Sequence, residues 1–190
     1  MRTVSEIELR SYRILRSRVD TSGLPVLTRA VVERVIHASA DLDYLTDLAV
    51  SAEADLRAGW QALRAGAPVV ADVQMVAAGI TARRAVCHVA QAVAAPGETR
   101  SAAAIRLALA EVGPGAVWVI GNAPTALDAL LAADARPALV VGLPVGFVGA
   151  VEAKAALRAS GLPAVSNASE KGGSAVAAAA VNALLYAEDQ

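Results

Sequence analysis

The amino-acid sequence predicts an α/β fold built on a parallel sheet, and three observations carry that prediction. Two short apolar runs, Val117–Ile120 and 138–141, are each followed by glycine. Runs this short, bounded by turn residues, read as strands buried on both faces. The segment between them reads as a helix. Pro124 falls at a first helical position, where a missing amide does no harm, residues 125–133 continue it, and Arg136-Pro137 ends the crossover. The second run opens into Gly142-Leu143-Pro144-Val145-Gly146-Phe147-Val148-Gly149, and a further helix follows over 150–159. Strand, helix, strand, helix is the signature of a parallel sheet. Such sheets bind ligands beyond the carboxyl ends of their strands, so both glycine-rich turns mark the expected site.

At 190 residues the chain suits one domain with a substantial core. The hydrophobic fraction is 56%, the mean hydropathy +0.49, and aromatics only 3%. The core must therefore pack through alanine and branched aliphatic side chains. Helices that are apolar nearly all round are either central or covered by a partner, which favours a homo-oligomer. A net charge of −1 with no basic block excludes the footprint of a nucleic-acid binder. The longest apolar run, 137–151, is broken after its start by three glycines and a proline, so no membrane helix is expected. The first residues include Arg, Ser and Glu and lack a signal-peptide core. Cys87 is the single cysteine, which rules out an intramolecular disulfide. Together these observations give a cytoplasmic protein as the expectation. Neither Gly-x-x-x-x-Gly-Lys-Ser/Thr nor Gly-x-Gly-x-x-Gly after a strand occurs, which counts against nucleotide binding.

In chain order, the first helix is announced by a capping box, Ser5 with Glu8, and by Val4 and Leu9 as a hydrophobic staple. Ile7, Ser11 and Leu15 share one face. Ser11 is thus a hydroxyl on an apolar stripe, either bonded back to its own helix or aimed into a pocket. Residues 20–25 form a turn. A second helix spans 26–40, with Val31, Val35 and Ala38 on one apolar face and His37 near its end. Glu33 and Asp41, one turn to either side, and the helix C-terminus would favour the imidazolium. That environment suits a general acid near neutral pH; a half-buried histidine without chemistry shows the same spacing.

The acidic run 41–47 lacks the glycine and closing glutamate of a calcium loop and reads as a solvated helix end. A third helix, 52–65, is closed by Gly66. A strand over 68–73 is interrupted by Asp72, and 79–81 is a turn. A second strand is expected over 85–89, on which Cys87 and His88 face opposite sides and cannot share a metal; Cys87 is read as core. A helix over 102–112 follows, with Arg100 near its N-terminus, a position the helix dipole disfavours unless an anion or solvent relieves it. A short strand, 164–166, leads to Gly172-Gly173-Ser174 at the start of the last helix, 175–186. Glycines and a serine at a helix N-terminus are an anion-receiving arrangement.

Six segments then stand together: VIHASAD (35–41), GAPVVADVQMVAAGIT (66–81), ETRSAAA (98–104), IGNAPTAL (120–127), PALVVGLPVGFVGAVEAKAAL (137–157) and KGGSAVAAAAVNALL (171–185). In this order they make nearly the whole chain resemble the precorrin-8X methylmutase family, the precorrin isomerases of cobalamin biosynthesis. The resemblance implies an isomerase that moves a methyl group from ring carbon 11 to ring carbon 12 of a tetrapyrrole. The product would be hydrogenobyrinate, or its cobalt-containing equivalent. It implies a single-domain, three-layer α/β/α fold with a mostly parallel sheet, acting as a homodimer with its pocket near the interface. It implies no redox cofactor and no metal.

Residue by residue, His37 matches the family's catalytic histidine, the proton donor to the macrocycle. Ser11 and Arg100 match its substrate-contacting serine and arginine. The substrate carries many acetate and propionate groups, so cations and backbone amides should line its site. Lys171, Gly172, Gly173 and Ser174 are the candidates for that work, followed by Thr81, Arg83, Asn122 and Thr125. The alternative is a non-catalytic corrinoid carrier on the same fold, suggested by Glu170 beside Lys171 and by the compact segment after Thr81.

Overall fold

The computed structural model describes residues 5–188. The order is α1 (Glu6–Arg18), α2 (Val26–Ser39), α3 (Tyr44–Asp47), β1 (Leu48–Val50), α4 (Glu53–Arg64), β2 (Val69–Ala71), α5 (Gln74–Gly79), α6 (Arg100–Val112), β3 (Val117–Ile120), α7 (Pro124–Leu131), β4 (Leu139–Gly142), α8 (Ala150–Ala159), β5 (Ala164–Asn167) and α9 (Ser174–Leu185). The strands form one sheet in the order β1-β5-β4-β3-β2. β2 to β5 run parallel, and β1 is added antiparallel at the edge.

Alternation along the strands divides the core. Val117, Val119, Leu139, Val141 and Val165 face α2, α4, α5 and α9. Trp118, Ile120, Val140 and Ala164 face α6, α7 and α8. Three layers follow, as the resemblance implies. Every residue of β2 to β5 is buried, the pattern of a parallel sheet covered on both sides.

α9 is apolar nearly all round because it is central, packed against α2, α4, α5 and the sheet. Its alanines permit close approach: a Cβ built on Gly79 would lie 2.7 Å from Ala178 Cβ. The apolarity of α9 is thus accounted for within one chain and does not itself require a partner subunit.

Several expectations need correction. Residues 85–89 do not form a strand. Only Val86 bridges to β2, through two bonds of 2.8 Å with Ala71 and Val69, before the backbone turns at His88. The strand at 68–73 is shorter: Asp72 N–H still donates to Val119 O at 3.2 Å, but the chain then bends into α5 while the Asp72 carboxylate binds the next strand's exit. Residues 74–79 form α5 where only a strand end and turn were expected. β1, directly after the acidic run, was not foreseen. Ser5 caps α1 by accepting from Glu8 N–H at 3.2 Å, but the Glu8 carboxylate reaches Arg34. Val4 lies outside the described residues. Ile7 is exposed, so the inward stripe of α1 reduces to Ser11 and Leu15. Gly66, at φ +91°, follows the C-cap Ala65, the place where a helix end favours glycine.

Candidate active site

His37 sits in the last turn of α2, which stops where Ala40 turns left-handed at φ 55°. Two successive residues of α1 hold the imidazole. Ser11 Oγ lies 2.8 Å from Nδ1, and the Tyr12 ring stacks on it at 4.9 Å between centroids and 8° between planes. The helix pair is joined by polar contacts along its length. Arg34 reaches Glu8 at 2.6 Å, and Arg16 forks onto Glu33, which also accepts from Thr21 at 2.6 Å. Ser11 is therefore neither bonded back to its helix nor idle; it belongs to this polar seam.

The two carboxylates expected to charge His37 have other partners. Burial pushes the Glu33 carboxyl up, but the bonds from Arg16 and Thr21 outweigh it and hold it below the usual range. Asp41 is held low by the Lys171 ammonium, 2.8 Å away.

Lys171 ties the end of α2 to the loop before α9. Its ammonium bridges Asp41 and Asp43, which raise it well above the ordinary lysine value. The acidic run is thus a clasp, not a solvated helix end. Asp47 completes it, accepting from Ala168 N–H (3.0 Å), Ser169 N–H (2.9 Å), the Ser169 hydroxyl and the Asn167 amide. Beyond the loop, Gly172 passes so near β4's exit that a Cβ would meet Leu143 O at 2.4 Å and Pro144 O at 2.6 Å. Gly173 N–H donates to Leu143 O at 2.9 Å, and α9 begins at the buried Ser174.

At β3's exit, Asp72 accepts from the N–H groups of Gly121, Asn122 and Ala123 at 2.9–3.0 Å. Burial raises this carboxyl against the pull of the three amides. The nest at the start of α7, which in other parallel folds receives a phosphate, is filled here from within. Asn122 and Thr125 are exposed beside it, and Thr125 is 2.7 Å from the Thr99 hydroxyl that caps α6. Arg100 is the exposed first residue of α6.

An open trough of 550 Å³ runs along α9 beside the last turns of α2. Ala38, Gly79, Ala175, Ala178 and Ala179 give it a flat, small-residue floor; Arg34, Thr81, Asn182 and Tyr186 supply polar edges. From Ala175 to Tyr186 the helix rise makes it about 16 Å long. The Asn182 amide donates to Gly79 O at 2.7 Å and accepts from Thr81 N–H at 3.2 Å, while the Thr81 hydroxyl is 2.9 Å from Tyr186 Oη. A second cavity, of 710 Å³, opens on the other side of α5 between Gln74, Arg84, Cys87 and Glu111. It is lined by nothing from α1, α2 or α9. Arg83, at its edge, donates to Leu63 O and Ala67 O and so pins the segment to α4's end. His88 pairs with Glu111 at 2.6 Å.

The fold thus gathers Ser11, His37, Lys171, Gly172, Gly173 and Ser174 at one end of the α2–α9 pair, with Thr81 on the trough edge. Arg83 is held by backbone carbonyls, and Asn122, Thr125 and Arg100 stand together at the neighbouring strand exits. Tyr12, Asp47, Asn167 and Asn182 carry contacts around the site and were not foreseen. The usable signal was a polar residue in an apolar run, as at Asn182 in the alanine-rich α9.

Comparison with known proteins agrees. The family model described as precorrin-8X methylmutase matches residues 6–187. A cobalt-precorrin-8 methylmutase of Salmonella typhimurium is 42% identical, covering 95% of this chain and 93% of its own. A precorrin-8X methylmutase of Pseudomonas aeruginosa is 43% identical, covering 92% and 91%. The crystal structure of a precorrin-8X methylmutase from Thermus thermophilus superposes with a TM-score of 0.85 at 36% identity, covering 95% and 96%. By the family match, the identity over nearly the whole chain and the superposition, the chain belongs to the precorrin-8X methylmutase family.

Proposed function

We propose that this chain is the isomerase of corrin biosynthesis that moves the methyl group of precorrin-8X, or of cobalt-precorrin-8, from ring carbon 11 to carbon 12. The observation that carries the reading is His37, held on edge by Ser11 and on face by Tyr12, next in the chain to Ala38, which lines a flat trough floored by alanine and glycine. A planar macrocycle needs such a floor, because a larger side chain would lift it away.

His37 is the proton donor. Protonating the conjugated ring draws electron density from it and lowers the barrier to migration; the proton returns as the product forms, so the step is a net isomerisation. With Nδ1 engaged by Ser11, delivery is assigned to Nε2. The rest of the work is positioning. The substrate's carboxylates would meet Arg34, Thr81 and Tyr186 along the trough, with Arg100, Asn122 and Thr125 taking those that reach over the strand exits. Lys171 acts by holding the trough's end, since Asp41 and Asp43 already neutralise it. Gly172, Gly173 and Ser174 shape that end, and Arg83 supports the Thr81 segment.

The protein acts as a homodimer. Ile7 on α1 and Phe147 and Val148 after β4 are apolar and more than four-fifths exposed, a combination that suits a subunit contact. Visible spectra of precorrin-8X mixed with the purified protein test the function. Conversion to the methyl-shifted product supports the isomerase, and a bound but unchanged spectrum supports a carrier. Light scattering tests the dimer.

A further inference from the structure

Lys154 lies in α8, on the far face of the sheet from His37, and its side chain is fully buried, with 0% exposure. A buried ammonium is costly unless each N–H finds an acceptor. Here three acceptors receive the three donors: Asn167 Oδ1 at 2.9 Å, Lys171 O at 2.7 Å and Ser169 O. Arg158, one turn on, donates to Asn167 O. From the other side Asp47 takes the amides of 168 and 169. The loop 167–171 is therefore clamped twice, its carbonyls by two cations and its amides by one carboxylate. This loop sets where Lys171 reaches Asp41, four residues beyond His37, and where α9 starts along the trough.

We infer that Lys154 is a positioning residue for the methyl shift, locking the 167–171 loop and through it the His37 end of α2 and the start of α9. The inference rests on the isomerase reading, but the loop's rigidity can be read without substrate. Burial pushes the Lys154 ammonium down to about 8, with Asp47 and Glu170 opposing and Arg158 adding to the fall. These are the charged groups that face it. Above that pH the amine keeps two N–H groups for three acceptors, and one contact is lost.

Amide hydrogen exchange, corrected for intrinsic rate, should show residues 168–175 losing protection between pH 7 and 9.5, while α6 is unchanged. In Lys154→Met the same amides should exchange at least tenfold faster at pH 7, and kcat per folded enzyme should fall about tenfold or more, the scale of a small misplacement. KM should change by less than about threefold, because most trough contacts lie elsewhere. Lys154→Arg, which keeps the charge but not the compact donor geometry, should fall between the parent and the methionine variant. If Lys154→Met folds with parental kcat and parental protection of 168–175, the inference is wrong. If that variant does not fold, equal protection of the parent loop at both pH values overturns it. An inactive parent with a protected, pH-sensitive loop would instead remove the isomerase reading and leave the clamp.

Discussion

Gly172 and Gly173 are adjacent, both have positive φ, and the structure separates them. At Gly172, φ is +154° and an added Cβ would lie 2.4 Å from Leu143 O, 2.6 Å from Pro144 O and 3.0 Å from Leu143 C. Ordinary carbon–oxygen contacts start at about 3.3 Å. The obstructing atoms are backbone, so no side chain can swing away, and the loop must retreat by about 1 Å, the gap between those distances. At Gly173, φ is +123° and nothing lies within 4 Å of the added atom. Gly173→Ala therefore carries backbone strain alone, about 1–3 kcal/mol. Gly172→Ala carries lesser strain from φ, a steric displacement of about 1–3 kcal/mol, and weakening of the Gly173 N–H to Leu143 O bond, worth about 1 kcal/mol. We expect about 3–5 kcal/mol in total, roughly 2 kcal/mol beyond its neighbour. Urea unfolding at one fixed protein concentration measures the difference, since an oligomer's stability depends on concentration. At an m-value of about 2 kcal/mol/M, the midpoints of the two variants should differ by about 1 M. Gly173→Ala equal to or worse than Gly172→Ala would refute the assignment of close approach at β4's exit.

Two further predictions follow from the α1–α2 seam. Ser11→Ala removes the bond to His37 Nδ1, worth about 1 kcal/mol, so the rate of methyl shift should fall about fivefold with little change in Tm; an unaltered rate would mean that the hydroxyl does not orient the ring. Glu33 has a folded pKa held below its unfolded value, so its contribution to stability is present above about pH 4.5 and is lost as pH falls through the folded value. Thermal melts from pH 7 to pH 3 should show a shallower acid loss for Glu33→Gln than for the parent, whereas parallel curves would show that Arg16 and Thr21 do not set that carboxyl.

The parallel sheet was legible because β3 and β4 are short apolar runs with a proline-started helix between them, the pattern of strands buried on both faces. α8 and α9 were legible because each follows a glycine-rich turn and is long enough for a helix. β1 was not, because three residues directly after the run that holds Asp41, Asp43 and Asp47 carry no strand signal; only pairing with β5 makes Leu48–Val50 a strand. Residues 85–89 failed in the opposite way. Their composition suits a strand, but Asp72 ends β2 early and leaves only the Val86 bridge. In the site, His37 and Ser11 could be named from the sequence, yet their bond could not, since it joins residues 26 positions apart. Glu33 lies on His37's helix, whereas Asp41 falls beyond its left-handed end at Ala40; neither serves the imidazole, because helical spacing does not reveal that Arg16 and Lys171 arrive from other elements. Lys154 carried no signal of its own in the sequence, and only the tertiary fold shows it buried.

The central claim is that His37 donates the proton that permits methyl migration. The most direct test is single-turnover conversion of cobalt-free precorrin-8X by the parent and by His37→Ala, followed by visible absorbance, with product binding measured for both. The account predicts rapid conversion by the parent, a loss of about 100-fold or more in the variant, as for removal of a general acid, and product binding retained in both. Conversion at the parental rate by a folded His37→Ala protein would contradict it.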